Sequence, residues 1–83
     1  MQTIRINIEQ TANGYEFTNG AMTVASIREL KANAHCNFSR FALMAANAPF
    51  GSVDSLPMAF EVLGDKIEAL FADLGLNVEF VNA

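Results

Sequence analysis

The feature that most constrains the fold is a strict alternation of apolar and polar residues near the N-terminus. Ile4, Ile6 and Ile8 are separated by single polar or charged residues within positions 3–9. Successive side chains of a β-strand point to opposite faces of a sheet, so this pattern predicts a half-buried strand. Three β-branched residues on one face indicate a central strand, in which we expect Ile6 to be fully buried.

Two turn signals follow this strand. Asn13-Gly14 and Asn19-Gly20 are dipeptides typical of tight turns between strands. The residues between these two dipeptides again alternate between apolar and polar types. The segment 11–22 is therefore predicted to form an additional β-arm.

A helix pair is predicted in the middle of the chain. Apolar residues recur every three or four positions from Val24, which is the spacing of one helical face. A second helix is predicted from Asn37 to about Asn47, because Pro49 disfavours helical geometry in the residue before it. Together these two predicted helices form the helix pair 24–46.

The C-terminal part of the chain is predicted to form a strand, a helix and a strand. The first strand covers residues 58–63 and the second covers residues 77–81. Asp65 and Glu68 have the spacing of a capping box, which indicates that the helix begins there. Gly75 stands where a helix favours a residue of positive φ at its C-terminal end.

The element order predicts an α+β single domain over residues 1–83. Its core is a three-stranded, mainly antiparallel sheet of β-α-α-β-α-β order, which is a split βαβ with the helices on one face. Strand 3–9 is expected between the strands 58–63 and 77–81, with the arm 11–22 outside this core. The closing strand, helix and strand should form a right-handed crossover.

Composition limits the classes of function. The 83 residues are 52% hydrophobic and 17% charged, which fits one packed domain rather than a disordered chain. The net charge of −4 argues against nucleic acid and anionic membrane as partners. Cys36 is the only cysteine and His35 the only histidine, so neither an internal disulfide nor a zinc site is expected. We expect a cytoplasmic protein with no cofactor, no bound metal and no membrane span.

Three segments carry a resemblance to a known family: Val24-Ala25-Ser26-Ile27-Arg28, the stretch from Phe38 to Pro49, and the stretch from Ile67 to Glu79. From Val24 onward the chain resembles the C-terminal domain of the bacterial ribosomal stalk protein. In that family the matching segments are two helices ending in Ala-Pro, then a helix, a glycine and an edge strand. The resemblance implies the element order given above, an architecture that the N-degron protease adaptor shares.

The chain also departs from that family. The turn Ala34-His35-Cys36-Asn37 has no glycine, and Ser39 stands where the family has a lysine. The resemblance therefore does not carry over the recruitment of translational GTPases, and we do not expect this chain to be the ribosomal protein itself.

The predicted helix pair would present an apolar centre with a basic rim. Such a surface is typical of protein recognition, because the rim attracts an acidic partner and the centre supplies affinity. Its candidate partner-binding residues are Arg28, Lys31, Arg40, Leu43, Met44 and Phe50. We therefore expect a small non-enzymatic protein–protein interaction module, of adaptor or inhibitor type, that binds another protein through the helix pair 24–46.

Two other functions stay open at this point. The chain is an obligate assembly subunit if the apolar strip is a self-interface, which would give a homo-oligomer. It is a small cysteine-dependent enzyme if Cys36 and His35 form a thiolate–imidazole pair. No third residue that would orient such a pair is evident, so no catalytic residue is predicted.

Overall fold

The computed structural model describes residues 2–31 and 40–82. In these two ranges the chain forms six strands and one helix. In chain order they are β1 (Gln2–Thr11), β2 (Gly14–Asn19), β3 (Met22–Leu30), β4 (Arg40–Ala45), β5 (Ala48–Val53), α1 (Leu56–Ala72) and β6 (Leu76–Asn82).

The six strands form one mixed sheet in the order β5-β4-β3-β2-β1-β6. Every pair of neighbouring strands from β5 to β1 is antiparallel, whereas the pair formed by β1 and β6 is parallel. Helix α1 connects β5 at one edge of the sheet to β6 at the other edge. It covers one face of the sheet, called the helix side below, and the opposite face is called the open face. The predicted three-stranded sheet with a helix pair is therefore wrong.

Strand β1 confirms the N-terminal prediction. Ile6 is 0% exposed and faces α1, with Phe80 of β6 beside it. The C-terminal strand is a neighbour of β1, as expected, but it runs parallel to β1 rather than antiparallel. The second neighbour is β2 instead of the segment 58–63, because the predicted arm 11–22 is a full part of the sheet.

The first predicted helix is strand β3. Its apparent helical spacing has a specific cause, a register shift at Phe17 and Thr18 of the neighbouring strand β2. In β3 this irregularity places Val24 opposite no residue, so that both Val24 and Ala25 are buried. A β-bulge interrupts the two-residue alternation of a strand. The apolar residues from Val24 to Ile27 consequently imitate a helical period.

The second predicted helix is also wrong where the structure describes it. Residues 40–45 form β4, which turns into β5 through Ala46 and Asn47. These two residues have φ values of 53° and 64°, as in a two-residue hairpin turn of type I′. Pro49 lies in the edge strand β5 instead of following a helix. The remainder of the predicted helix, with His35 and Cys36, lies outside the described residues.

Helix α1 includes the segment 58–63 that was predicted to be a strand. Its N-cap is Ser55, whose Oγ accepts a hydrogen bond of 3.3 Å from the backbone N–H of Met58. Pro57 fits the first turn, where a missing backbone N–H has no cost. The short apolar run 58–63 was ambiguous, because a buried helix and a buried strand share such a pattern.

The buried face of α1 explains why the helix forms. Ala59, Leu63 and Ile67 lie four residues apart and are fully buried against the sheet. Asp65 and Glu68 lie inside the helix and cap nothing, so the predicted helix start is wrong. The predicted helix end is confirmed, because Gly75 has a φ of 76°. In the described part of the chain no helix is both long and apolar enough to cross a membrane.

Aromatic side chains connect α1 to the centre of the sheet. Phe60 of α1 packs against Tyr15 and Phe17 of β2, with ring centroids 4.9 and 5.9 Å apart. Phe17 also meets the edge of the Phe80 ring at 6.1 Å. These contacts hold α1 over β2 and connect β2 to the edge strand β6.

Candidate functional site

The six residues predicted to bind a partner lie on two different faces. Residues on a strand that are an odd number of positions apart point to opposite sides. Arg28 and Lys31 would be neighbours on a helix, but on an extended chain they separate. Lys31 lines a pocket with Phe41 and Leu56 on the helix side, whereas Arg28 lies on the open face.

Two more of these residues also lie on the helix side. Leu43 is 2% exposed and packs in the core beneath α1. The ring of Phe50 lies 5.4 Å from the Lys66 Nζ of α1. Neither of them shares a surface with Arg28.

The open face keeps part of the predicted surface. Met44 is 42% exposed and lies opposite Ser26, next to the pair formed by Arg28 and Ala42. The Arg40 position follows on the same face. The depression beside Met44 measures about 50 Å³, which is small for a binding pocket. This region is a shallow patch with two arginines.

An apolar groove lies at the C-terminal end of α1. It measures about 310 Å³, and its helix wall includes Leu70 and Phe71. Met22 and Leu74 at the groove are 56% and 70% exposed. Large exposed apolar side chains around a groove can hold apolar groups of a ligand. The lining contains no charged residue that would select among such ligands.

A more polar pocket of about 250 Å³ lies at the turn between β1 and β2. Tyr15, Glu29 and Lys31 are the titratable residues among those that line it. No nucleophile with an adjacent base is present in this lining. Among residues 2–31 and 40–82, no group of three or more His, Cys, Asp or Glu side chains could hold a metal ion.

The two edges of the sheet differ in how well they can accept another strand. Edge strand β5 contains Pro49, which has no backbone N–H, and Gly51, which has a φ of 145°. The register of β5 also shifts between Leu43 and Met44 of β4. Proline and bulges are features with which natural sheets protect an edge from further pairing.

Edge strand β6 has none of these protections. Its seven residues Leu76–Asn82 pair with β1 in unbroken register. Its one charged residue is Glu79, whose Oε1 lies 3.6 Å from Nε of Arg5 on the open face. In the described part of the chain no segment pairs with the outer side of β6. An edge strand of this kind presents a row of backbone donors and acceptors to a further strand.

A groove accompanies the outer edge of β6. It measures about 320 Å³ and lies between the helix and the edge strand. Glu68 and Ala72 of α1 form one wall, and Leu76, Asn77 and Val78 of β6 form the other. A strand added to β6 would therefore place its helix-side residues in contact with α1. We call this region the β6 groove and take it as the candidate functional site.

The helix above the β6 groove is acidic. Glu61, Asp65 and Glu68 are exposed, and their spacing of four and three residues forms one stripe on α1. We call these three residues the acidic stripe. Residues 54–73 contain five carboxylates and only Lys66, whereas the remaining charges of the chain balance. The whole net charge of −4 therefore lies in the segment that contains the helix.

Comparisons with known proteins give no match. No family model, no curated protein and no solved structure matches this chain. The resemblance to the stalk domain stays a prediction, although the element order that it implies differs from the observed one.

Sequence reasoning missed the β6 groove because it assigned Glu68 to a helix cap. The alternation from Leu76 to Phe80 correctly indicated a strand, but it contained no information on which side would stay unpaired. One signal was available for the true helix start, since Ser55 is followed by Pro57 in the first turn. A longer helix would have placed Glu61, Asp65 and Glu68 on one stripe.

Proposed function

We propose that this protein is a small protein-interaction module that binds an extended segment of a partner as an added strand on β6. The observation that carries this proposal is the regular outer edge of β6, which lies beside a groove formed with α1. The adaptor or inhibitor type of function expected from the sequence is thus retained. The binding surface moves from the predicted helix pair, whose described residues lie mainly in strands, to the β6 groove.

Strand addition explains how so small a surface could bind with useful affinity. In this mode the backbone hydrogen bonds supply affinity, and pockets for alternate side chains supply specificity. A net contribution of about 0.5–1.5 kcal/mol per hydrogen bond is typical. Several such bonds along seven residues would offset part of the entropy lost on ordering the partner segment, and side chains held in the groove would supply the rest. The groove beside Val78 would accommodate the side chains that face α1.

A different protein fits this edge better than a second copy of the chain. Glu79 is the central residue of β6, so an antiparallel pair centred on it would bring two Glu79 residues together. Like charges directly opposite each other destabilise a strand pair. The alternative of an assembly subunit is therefore less well supported at this edge than a heterologous partner.

The other features of the proposal come from composition. A net charge of −4 favours a protein partner over nucleic acid or an anionic membrane. We place the protein in the cytoplasm, since a single cysteine suits a reducing compartment. The proposed function is binding rather than catalysis, because it uses backbone groups and groove walls and needs no nucleophile.

A peptide selection followed by mapping tests this proposal. Binding peptides are selected from a displayed random library, synthesised and added to ¹⁵N-labelled protein. We expect their largest amide shift changes along Leu76–Asn82 and around Ala72. Consistent mapping to β5, to the open face or to the groove at Leu74 would refute strand addition on β6.

Two variants give a matched control for that experiment. Ala72→Gln places a longer uncharged side chain in the β6 groove, whereas Ala69→Gln places the same side chain on an exposed part of α1 outside it. Glutamine is a good helix former, so both variants should fold. We expect Ala72→Gln to weaken peptide binding and Ala69→Gln to leave it unchanged. Equal effects of the two variants would contradict the proposed site.

A further inference from the structure

We infer that the partner segment is basic, with lysine or arginine at alternate positions that face the acidic stripe of α1. This inference rests on the proposed function, because it names the chemistry of the strand that β6 would accept. Three observations carry it: the helix wall of the groove, the direction of α1 along β6, and the charges of the acidic stripe.

The helix wall of the groove places a carboxylate beside the open edge. Glu68 lines the groove together with Val78 and Leu76 of β6. Its side chain is exposed, and among the described residues it has no salt-bridge partner within 4.0 Å. A side chain of the added strand that faced α1 would therefore meet Glu68 first.

The acidic stripe continues along this wall because α1 runs back beside β6. Gly64 lies over the ring of Phe80, and a Cβ at that glycine would be 3.9 Å from the ring. One and two turns further along the helix, Glu68 and Ala72 lie beside the start of β6. Glu61 precedes Gly64 by three residues and extends the acidic stripe toward the N-terminus of α1.

The dimensions of the stripe suit alternate residues of a strand. From Glu61 to Glu68 the helix rises by about 10 Å, at roughly 1.5 Å per residue. Alternate residues of a strand are about 6.6 Å apart. Two or three basic side chains on one face of the added strand would thus span the whole acidic stripe.

Lysine and arginine also fit the apolar floor of the groove. Their methylene stems can lie along apolar surface while the charged group stays at the rim. Here the stem would contact Val78 and Ala72, and the cation would reach Glu68. A short acidic residue in the same place would bury no apolar surface and would meet like charges.

The charges of α1 do not favour the helix itself. Glu61 and Asp65 are like charges four residues apart, and Asp65 and Glu68 are like charges three residues apart, which destabilises a helix. The first turn has no acidic residue and the last turn no basic one, so the charges do not favour the helix dipole either. A basic partner would remove this repulsion on binding.

Three synthetic seven-residue peptides test the inference in titrations at low salt. The first alternates lysine with threonine, the second alternates glutamate with threonine, and the third is the lysine–threonine peptide with every backbone nitrogen methylated. The N-methylated peptide keeps the charge but has no backbone N–H donor for a strand pair. We expect the lysine–threonine peptide to bind and to shift the amides of Leu76–Asn82, and the other two to bind at least about tenfold more weakly.

Charge-reversal variants connect the binding to Glu68. Glu68→Lys should lower the affinity for the lysine–threonine peptide by about tenfold, and this loss of affinity should be smaller at high salt. Glu9→Lys is the matched control, because it changes the net charge equally at an exposed residue of β1 beyond its register with β6. We expect this control to change the peptide affinity by less than about threefold, since residue 9 lies farther from the bound peptide and salt screens its charge.

The results separate the two proposals. If library-selected peptides map to β6 but the lysine–threonine peptide binds no better than the glutamate–threonine peptide, the basic partner is refuted and strand addition stands. If the N-methylated peptide binds as well as the lysine–threonine peptide, charge attraction without strand pairing explains the binding, and the proposed function is refuted. Equal losses of peptide affinity in Glu68→Lys and Glu9→Lys would also overturn the inference, because binding would then depend on net charge alone.

Discussion

Replacing Gly14 with alanine should destabilise the protein more than any ordinary surface substitution. Gly14 lies on β2 directly opposite Arg28 of β3. A Cβ at this position would overlap the carbonyl oxygen of Ile27 and lie 2.9 Å from its carbonyl carbon. Both atoms belong to the backbone, so the clash is relieved only if the ends of β2 and β3 move apart.

The size of the effect follows from the cost of overpacking. Forced backbone shifts in a packed region typically cost about 1–3 kcal/mol, and a backbone clash at Gly14 belongs at the upper end of that range. A protein of this size has a total stability of about 4–12 kcal/mol. Since about 1 kcal/mol corresponds to roughly 4–8 °C, a loss near 3 kcal/mol should lower the Tm by about 12–24 °C.

Gly64→Ala is the matched control, because the same glycine-to-alanine substitution should here stabilise the protein instead of destabilising it. Gly64 lies inside α1, and a new Cβ would make ordinary contact with the Phe80 ring at 3.9 Å. Alanine in a helix interior is more stable than glycine by about 0.5–1 kcal/mol. Urea unfolding and thermal melts followed by circular dichroism measure both variants. An unchanged Tm in Gly14→Ala would refute the pairing of β2 with β3, and a lowered Tm in Gly64→Ala would refute the continuous helix.

Substitutions at three further positions test other parts of the fold by the same unfolding measurements. Ile6→Ala should cost about 2–4 kcal/mol because the side chain is fully buried, and a cost below about 1 kcal/mol would contradict a core position. Gly75→Val should destabilise by more than about 1 kcal/mol, whereas Gly75→Asn should be milder, because the φ of 76° disfavours branched side chains. Glu9→Lys should stabilise by about 0.2–1 kcal/mol, since Glu9 lies directly opposite Glu16; a loss of stability would show that this register is wrong.

Elements defined by local signals could be predicted from the sequence. The two-residue period of a strand was enough to predict the conformation around Ile6, and Gly75 was enough to predict the end of α1. The turn after Asn19 likewise follows from the backbone freedom of Gly20, which has a φ of 62°. In these places the local preference and the final fold agree.

The middle of the chain could not be predicted because its conformation depends on distant pairing. Val24 and Ala25 are both buried because of a bulge opposite Phe17, and this bulge exists only once β2 and β3 are paired. The choice between strand and helix for residues 58–63 was likewise decided by the sheet that α1 covers. Tertiary contacts overrode local spacing in both cases.

The candidate site was predictable only in part. The strand that begins at Leu76 was expected, and the resemblance to the stalk domain implied an edge strand there. Its exposed outer side depends on the position of β2, which was treated as an arm outside the core. Glu68 gained its place in the site only because α1 begins at Leu56 and runs back along β6.

The central claim is that β6 accepts an extended partner segment as an added strand. Intermolecular nuclear Overhauser effects between the labelled protein and a bound lysine–threonine peptide test it directly. We predict contacts between backbone protons of the peptide and those of alternate residues along Leu76–Asn82, with peptide side chains near Val78 and Ala72. Contacts limited to side chains of α1, or contacts along Ala48–Val53 instead, would contradict the claim.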